Sequence, residues 1–478
     1  MMADILVKRP HDTRTTTNRK GVTYVQVTAE KRYDKVKKFN VDKRVCIGRM
    51  VDDEYMVPND KFATYFPDLL PVDKPPVCSD VLKIGNYVLF SSIMKNLRLD
   101  QLIEEVYEED ADLLKDVLSY LIIEENSALQ HFDHYGFDHP VFSEHVYSDN
   151  RISEILHRIS IYKHDLFLEK WNELHKDTED IYISYDSTNM NSAAEGAQLL
   201  AYGNSKDKGS DLPQINVSIG FDQNNLTPLF YEVYPGNVID NTQCELMVDK
   251  VRRYGYKKIG FVIDRGYFSI ENIKYFIENG YEYMIMAKLN ATFVQDAFHE
   301  AQYGLRLNPS YYLAEHEVSG MTVKRPFTKE FLKDQYMHVY YDDVRASLER
   351  RALSNKFNKL EENLQELTSK KTTRKFEVKK YEKYYALQYH GDYLIGYKRK
   401  ESEIKEKLDT CGYFVLITSK EMSAAETLSH YRYRDTSEKL FLTDKTFLDA
   451  DVLRAHTDET IESRQMIQFL ALIVRNEI

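Results

Sequence analysis

The sequence predicts a mixed α/β protein, and three observations carry that reading. Residues 80–178 repeat apolar side chains at i, i+3, i+4 and i+7, the period of amphipathic helices. At Ile181 the pattern changes to short apolar runs bounded by turn residues, which is how buried strands read. Beyond them strand and helix patterns alternate, the order of a sheet covered by helices. At 478 residues the chain is long enough for a sizeable core. Its 43% hydrophobic and 29% charged residues describe a soluble globular protein.

Taken in order, Tyr24–Thr28, Lys35–Val41 and Arg44–Val51 alternate polar and apolar, which predicts two or three short antiparallel strands with a basic outer face. Pro71–Pro76 reads as a linker. Helical runs follow at Leu102–Val106, Leu113–Leu121 and Ile152–Ile159, the last fitting either a bundle helix or part of a helix-turn-helix. Ile181–Tyr185, Ile215–Phe221 and Pro228–Tyr234 read as strands, the last two joined by the turn Asp222–Asn225. A helix over Thr242–Tyr254, a strand over Lys258–Ile263, a helix over Ile270–Glu278 and a strand over Tyr281–Ala287 come next. Three antiparallel strands, then helix, strand, helix and strand, is the order of a ribonuclease-H-like sheet.

Tyr311–Val318, Met321–Pro326 and Gln335–Tyr341 read as further strands, and a charged helix covers Arg345–Ser369. The basic clusters Lys370–Lys375 and Tyr397–Lys400 read as solvated faces. Gly412–Thr418 is a returning strand. The chain stops at Phe469–Ile478, mid-pattern and without a C-cap, an ending compatible with truncation. The expected organisation is a basic β-rich region (1–75), a helical domain (80–178), a ribonuclease-H-like core (179–287 and 409–478) and an inserted α+β region (288–408).

The formal charge of -12 argues against a polyanion as partner. Charge acts locally, within a Debye length of about 8 Å, and residues 1–44 hold 12 Lys and Arg against 5 Asp and Glu. Cys46, Cys78, Cys244 and Cys411 form no CxxC pair, so neither a disulfide framework nor a zinc site is indicated. With no membrane-length apolar run and no signal-peptide core, a cytoplasmic protein is expected.

Two aspartates directly follow apolar strands: Asp186 after Ile181–Tyr185 and Asp264 after Lys258–Ile263. In a mixed sheet such ends converge on one edge, where carboxylates jointly hold divalent ions; each taken singly also fits a strand-end cap. A helix starting at Ser423 with Glu426 in its first turn leads into Tyr431–Lys445. On that helix Tyr431, Arg434, Glu438 and Lys445 share a stripe about 60° wide. Tyr433, Leu440, Phe441, Phe447 and Leu448 form the expected core face. An aromatic, two cations and a carboxylate suit a phosphodiester with a metal ion; a solvated helix edge is the other reading.

The spacing Tyr-x2-Arg-x3-Glu-x6-Lys resembles the YREK signature of prokaryotic insertion-sequence transposases, DDE-class enzymes with a ribonuclease-H-like core. Tyr185–Thr188 looks like the segment bearing their first catalytic Asp, and Val262–Gly266 like that bearing the second. Tyr202–Asp207, Asp211–Gln214, Tyr231–Asn237 and Glu462–Val474 are further family-like phrases. The resemblance covers about residues 85–478 and is greatest to the insertion-sequence 1634 branch of the insertion-sequence 4 superfamily. One departure is Asp435-Thr-Ser where many relatives have a Trp between the signature Arg and Glu.

The resemblance implies cut-and-paste DNA transposition by two-metal phosphoryl transfer, with Asp186, Asp264 and Glu438 holding Mg²⁺ or Mn²⁺. It implies phosphate contacts from Arg434 and Lys445, with Tyr431 bracing the strand. It further implies terminal inverted repeats and target DNA as partners, a homodimer in the paired-end complex, and a cytoplasmic, nucleoid-associated enzyme. A catalytically decayed end-binding protein is the alternative, and the intact set of three carboxylates weighs against it. A nuclease of the same core leaves the Tyr431-to-Lys445 spacing unexplained.

Overall fold

The computed structural model describes residues 6–19, 21–34, 39–69, 81–176, 181–194, 196–203, 212–256, 258–327, 333–370, 373–434, 439 and 453–478. The linker expected at 71–76, the phrase over 204–211, and Glu438, Lys445, Leu440, Phe441, Phe447 and Leu448 lie outside them. The chain forms two compact units, residues 1–158 and 159–478.

In the first unit, β1 (Val7–Lys8), β2 (Arg14–Thr17), β3 (Thr23–Asp34), β4 (Phe39–Met50) and β5 (Tyr55–Pro58) form an antiparallel sheet in the order β1-β5-β4-β3-β2. β3 and β4 are twelve residues each, longer than the alternation in the sequence suggested. Two bulges let the pairing run through positions where alternation breaks. Val7, Val25, Ile47, Met56 and Phe62 make the core beneath it, the last on the short helix α1 (Phe62–Tyr65). Five helices follow: α2 (Ile84–Asn96), α3 (Leu99–Tyr107), α4 (Ala111–Glu124), α5 (Phe132–Asp138) and α6 (Asp149–Arg158). α4 is buried nearly all round, as a central bundle helix must be. Its Asp116 accepts the Ser143 N–H at 3.0 Å and that of Phe142, anchoring the loop before α6.

The second unit opens with α7 (Ile161–Glu173), β6 (Ile181–Asn191), β7 (Gln214–Asp222), β8 (Thr227–Pro235), α8 (Asp240–Arg253), β9 (Ile259–Ile263), α9 (Ile270–Asn279) and β10 (Glu282–Met286). This is the element order read from the sequence. It continues with α10 (Thr292–Leu307), β11 (Tyr312–Leu313), β12 (Val318–Pro326), β13 (Asp334–Tyr341), α11 (Asp343–Ser369), α12 (Lys375–Val378), β14 (Tyr385–His390), β15 (Tyr393–Arg399) and α13 (Glu401–Asp409). It closes with β16 (Tyr413–Thr418), α14 (Ala424–Arg432) and α15 (Asp458–Arg475).

Nine of these strands form one sheet, ordered β11-β12-β13-β16-β10-β9-β6-β7-β8. β6, β9 and β10 run parallel, and the remaining pairs are antiparallel. Three strands from the 288–408 stretch thus continue the central sheet through β16. The hairpin β14–β15 stands apart as a sheet of its own. β7 and β9 are buried along their whole length; β9 is apolar or glycine throughout, while β7 also buries Gln214, Asn216 and Asp222.

The outer strand β8 does not leave its carbonyls bare. Trp171 Nε1 donates to Pro228 O at 2.9 Å, Asn172 Nδ2 to Leu229 O at 2.8 Å, and Lys250 Nζ to Tyr231 O at 3.1 Å. Side chains of α7 and α8 therefore cover a sheet edge that would otherwise template association. Asn172 is fully buried, and its Oδ1 accepts the Tyr256 hydroxyl at 2.5 Å.

Two predictions follow from this packing. Tyr256→Phe leaves the Asn172 oxygen buried without that donor, and should cost about 1–3 kcal/mol in urea unfolding followed through Trp171, the single tryptophan. The second concerns Glu462 on α15, whose carboxyl burial pushes up to about 7; Lys250 opposes the shift, while Asp165 and Asp458 add to it. Between pH 4.5 and 7 the folded chain keeps a proton that the unfolded chain has lost, so stability falls as pH rises through that window. Glu462→Gln should flatten that part of the stability–pH curve, as urea midpoints at several pH values will show.

Candidate active site

The parallel pair β6/β9 sets the site. Tyr185 on β6 is opposite Ile263 on β9, so the next residues, Asp186 and Asp264, emerge side by side on neighbouring strands. Gly260 assists this pairing: a Cβ there would lie 2.6 Å from the Tyr182 ring, which lies across it. Asp264 follows the end of β9 in extended conformation and leads into a single 3₁₀ turn, Arg265–Tyr267. Asp186 departs from expectation. It is not at a strand end, because β6 runs on to Asn191, paired throughout with β7. The apolar run stops at Tyr185, but the ladder is held by backbone hydrogen bonds and continues through Ser187, Thr188 and Asn189, all buried.

Helix α14 lies over this edge. Its start is the capping box read from the sequence: Ser423 Oγ accepts the Glu426 N–H at 3.1 Å, and Glu426 returns to the Ser423 N–H. Ala424, Leu428 and Tyr431 recur at i, i+4 and i+7 and enter a core with Val262, Met284, Tyr340, Phe414 and Leu416. Thr427 contacts His338 of β13, which also shares a 2.9 Å hydrogen bond with Thr418. Burial pushes His338 down to about 3, so it ties the helix to the sheet as a neutral ring.

The helix ends at Arg432, and the expected wheel does not hold. Tyr433, placed on the core face, is 60% exposed, whereas Arg434, placed on the polar stripe, is 8% exposed. The physical reason is that Ala424, Leu428 and Tyr431 turn the buried face toward the strands, and the chain leaves the helix before Arg434. The Arg434 N–H then donates to Tyr431 O at 3.0 Å, which folds its side chain back under the helix end.

That return brings together four of the residues singled out in the sequence. Arg434 Nη1 is 3.2 Å from Asp186 Oδ2, and Nη2 is 4.0 Å from Asp264 Oδ1. The Tyr431 hydroxyl donates to the same Asp264 oxygen at 3.2 Å, and its ring faces the guanidinium at 5.3 Å. Burial is the chief cause that pushes the Tyr431 phenol far above its ordinary value, so it is a neutral donor at working pH. Sequence reading assigned Arg434 and Tyr431 to DNA. Their present contacts are with the two carboxylates, 248 and 167 residues away in the chain.

Among the described residues, no three His, Cys, Asp or Glu gather into a metal-binding cluster. The residues present nonetheless fit a divalent cation. Two carboxylates converge on one positive group, and the guanidinium stands where their oxygens could share a hard ion. The donors are oxygens, as Mg²⁺ and Mn²⁺ require.

A sheet edge carrying paired aspartates beneath a Tyr/Arg helix end gathers oxygen donors suited to a cation and a guanidinium suited to phosphate. The family model described as "Transposase DDE domain" matches residues 179–474, and the chain belongs to that family. No curated protein matches it. Among solved structures, a piggyBac transposase synaptic complex with hairpin DNA aligns at a TM-score of 0.35 with 9% identity, covering 84% of this chain and 73% of that one.

Arg434 should be needed for stability chiefly when no metal is present. Arg434→Ala removes the guanidinium between two neighbouring carboxylates and should cost about 3 kcal/mol in EDTA, the low end for a broken buried pair because Asp264 is open to water. Added Mg²⁺ should raise the melting temperature of the variant more than that of the unaltered protein. Equal melting temperatures in EDTA contradict the role given to the guanidinium.

Proposed function

We propose that this chain is an insertion-sequence transposase that cleaves DNA at element ends and joins them to a target by cut-and-paste transposition. The observation that carries the reading is the convergence of Asp186 and Asp264 on Arg434 within the matched transposase domain. The element order of β6 to β10 supports a ribonuclease-H-like core, and the Tyr431, Arg434, Glu438 and Lys445 spacing supports the YREK group and its insertion-sequence 1634 branch.

Asp186 and Asp264, with Glu438 as the third carboxylate, would hold the catalytic Mg²⁺ or Mn²⁺. Such ions, when bound, activate water or a DNA 3′-hydroxyl and stabilise the leaving oxygen. Tyr431 keeps Asp264 oriented through its hydroxyl, a fixed neutral donor that does not compete for the proton. Arg434 compensates the carboxylates in the free protein. With cations and DNA in place its guanidinium is released to a phosphate near the scissile bond, where a bidentate fork suits phosphate oxygens. Lys445 adds a second phosphate contact, the helical region over 80–178 binds the terminal repeats, and a homodimer pairs the two ends.

The test is to incubate the protein with DNA flanking its own gene and Mg²⁺, and to look for cleavage at the element ends. Asp264→Asn keeps the side-chain shape but removes the charge, so end cleavage should fall by several orders of magnitude while terminal-DNA binding and folding persist. A destabilised but active Asp264→Asn protein, or full cleavage by the unaltered protein in excess EDTA, would sink the assignment.

A further inference from the structure

The long helix α11 carries the chain about 40 Å at 1.5 Å per residue, and a small lobe forms against its second half. Leu364 of α11 joins Val378, Tyr381, Tyr385 and Leu394 in a core of its own, flanked by Leu360, Leu367 and Tyr397. This core fixes α12 and the β14–β15 hairpin. Residues 373–400 hold eight Lys and Arg against three Asp and Glu, in a chain whose net charge is -12. The lobe is thus a local cationic surface on an acidic protein, and the catalytic reading does not use it.

On that surface lies an open groove of about 630 Å³ lined by Arg374, Lys375, Phe376, Lys379, Glu382, Asp392 and Tyr393. Phe376 is 73% exposed, although the same turn of α12 buries Val378 completely. Tyr393 is 44% exposed. Single exposed aromatics are ordinary. Here two of them share one groove with three cations, the pairing that single-stranded nucleic acid needs. Bases in a duplex are stacked and offer no free face, so a flat ring among phosphate-binding groups suits an unpaired base. Glu382 and Asp392 repel phosphates but accept hydrogen bonds from the amino groups of adenine, cytosine or guanine.

We propose that this groove is a stacking site for an unpaired DNA nucleotide, with Phe376 against the base and Arg374, Lys375 and Lys379 on the adjoining phosphates. The choice of DNA as the polymer rests on the transposase reading; the recognition chemistry rests on the groove.

The experiment measures binding of the full chain to a short fluorescent adenine homopolymer, single-stranded and as a blunt duplex with its complement. Phe376→Ala should weaken single-strand binding on the order of 5- to 100-fold and leave duplex binding unchanged, and Phe376→Trp should restore it. Lys379→Ala should lower the slope of log affinity against log salt by about 0.7. Phe376 is largely exposed, so an unchanged melting temperature accompanies the expected result. Unchanged single-strand affinity in Phe376→Ala overturns the proposal, as does an equal loss on the blunt duplex. If the unaltered protein cleaves no element ends yet its single-strand binding depends on Phe376, the transposase reading fails and the stacking site stands.

Discussion

Two aspartates held side by side, one within β6 and one just past the end of β9, repel each other, and this sheet edge depends on how that repulsion is met. Burial of β6 and β9 fixes their register, and the register fixes Asp186 beside Asp264. Asp186 cannot move away without breaking the ladder, and Asp264 directly follows the last paired residue of β9. Arg434 supplies the compensating charge in the free chain, and a phenol that stays neutral holds one of the carboxylates in place. The positive group is carried on a helix end rather than a strand, so it can leave without disturbing the sheet.

The surroundings of that edge divide two tasks. Rigidity comes from the sheet, whose central strands are buried and whose outer strand β8 is covered by Trp171, Asn172 and Lys250. Placement comes from α14, moored by the capping box at its start and by Thr427 on His338 in its middle. The lobe on α11 has its own core, so it can present cations and aromatics without adding charge to the sheet.

Much of the architecture was legible because burial writes itself into local sequence. Runs such as Ile215–Phe221 and Ile259–Ile263 are buried on both faces and read as strands at once. Ser423 and Glu426 signal a helix start because the capping bonds involve residues three apart. The hairpin β14–β15 went unread, although Gly391 at its turn, with a φ of +57°, was the available signal. Its strands hold four tyrosines and are largely half exposed, so no clean alternation marks them.

By itself the sequence determined the mixed α/β class, the order of strands and helices from β6 to β10, and the residues worth suspecting: Asp186, Asp264, Tyr431 and Arg434. Each of these followed from side-chain periodicity or short spacing, which are local properties of the chain. Only the tertiary structure decided that β6 continues past Asp186, that β11 to β13 extend the same sheet, and that Arg434 turns inward to the carboxylates. Those outcomes depend on strand pairing and on an ion pair across 248 residues, and no local pattern encodes which distant partner a charge will meet.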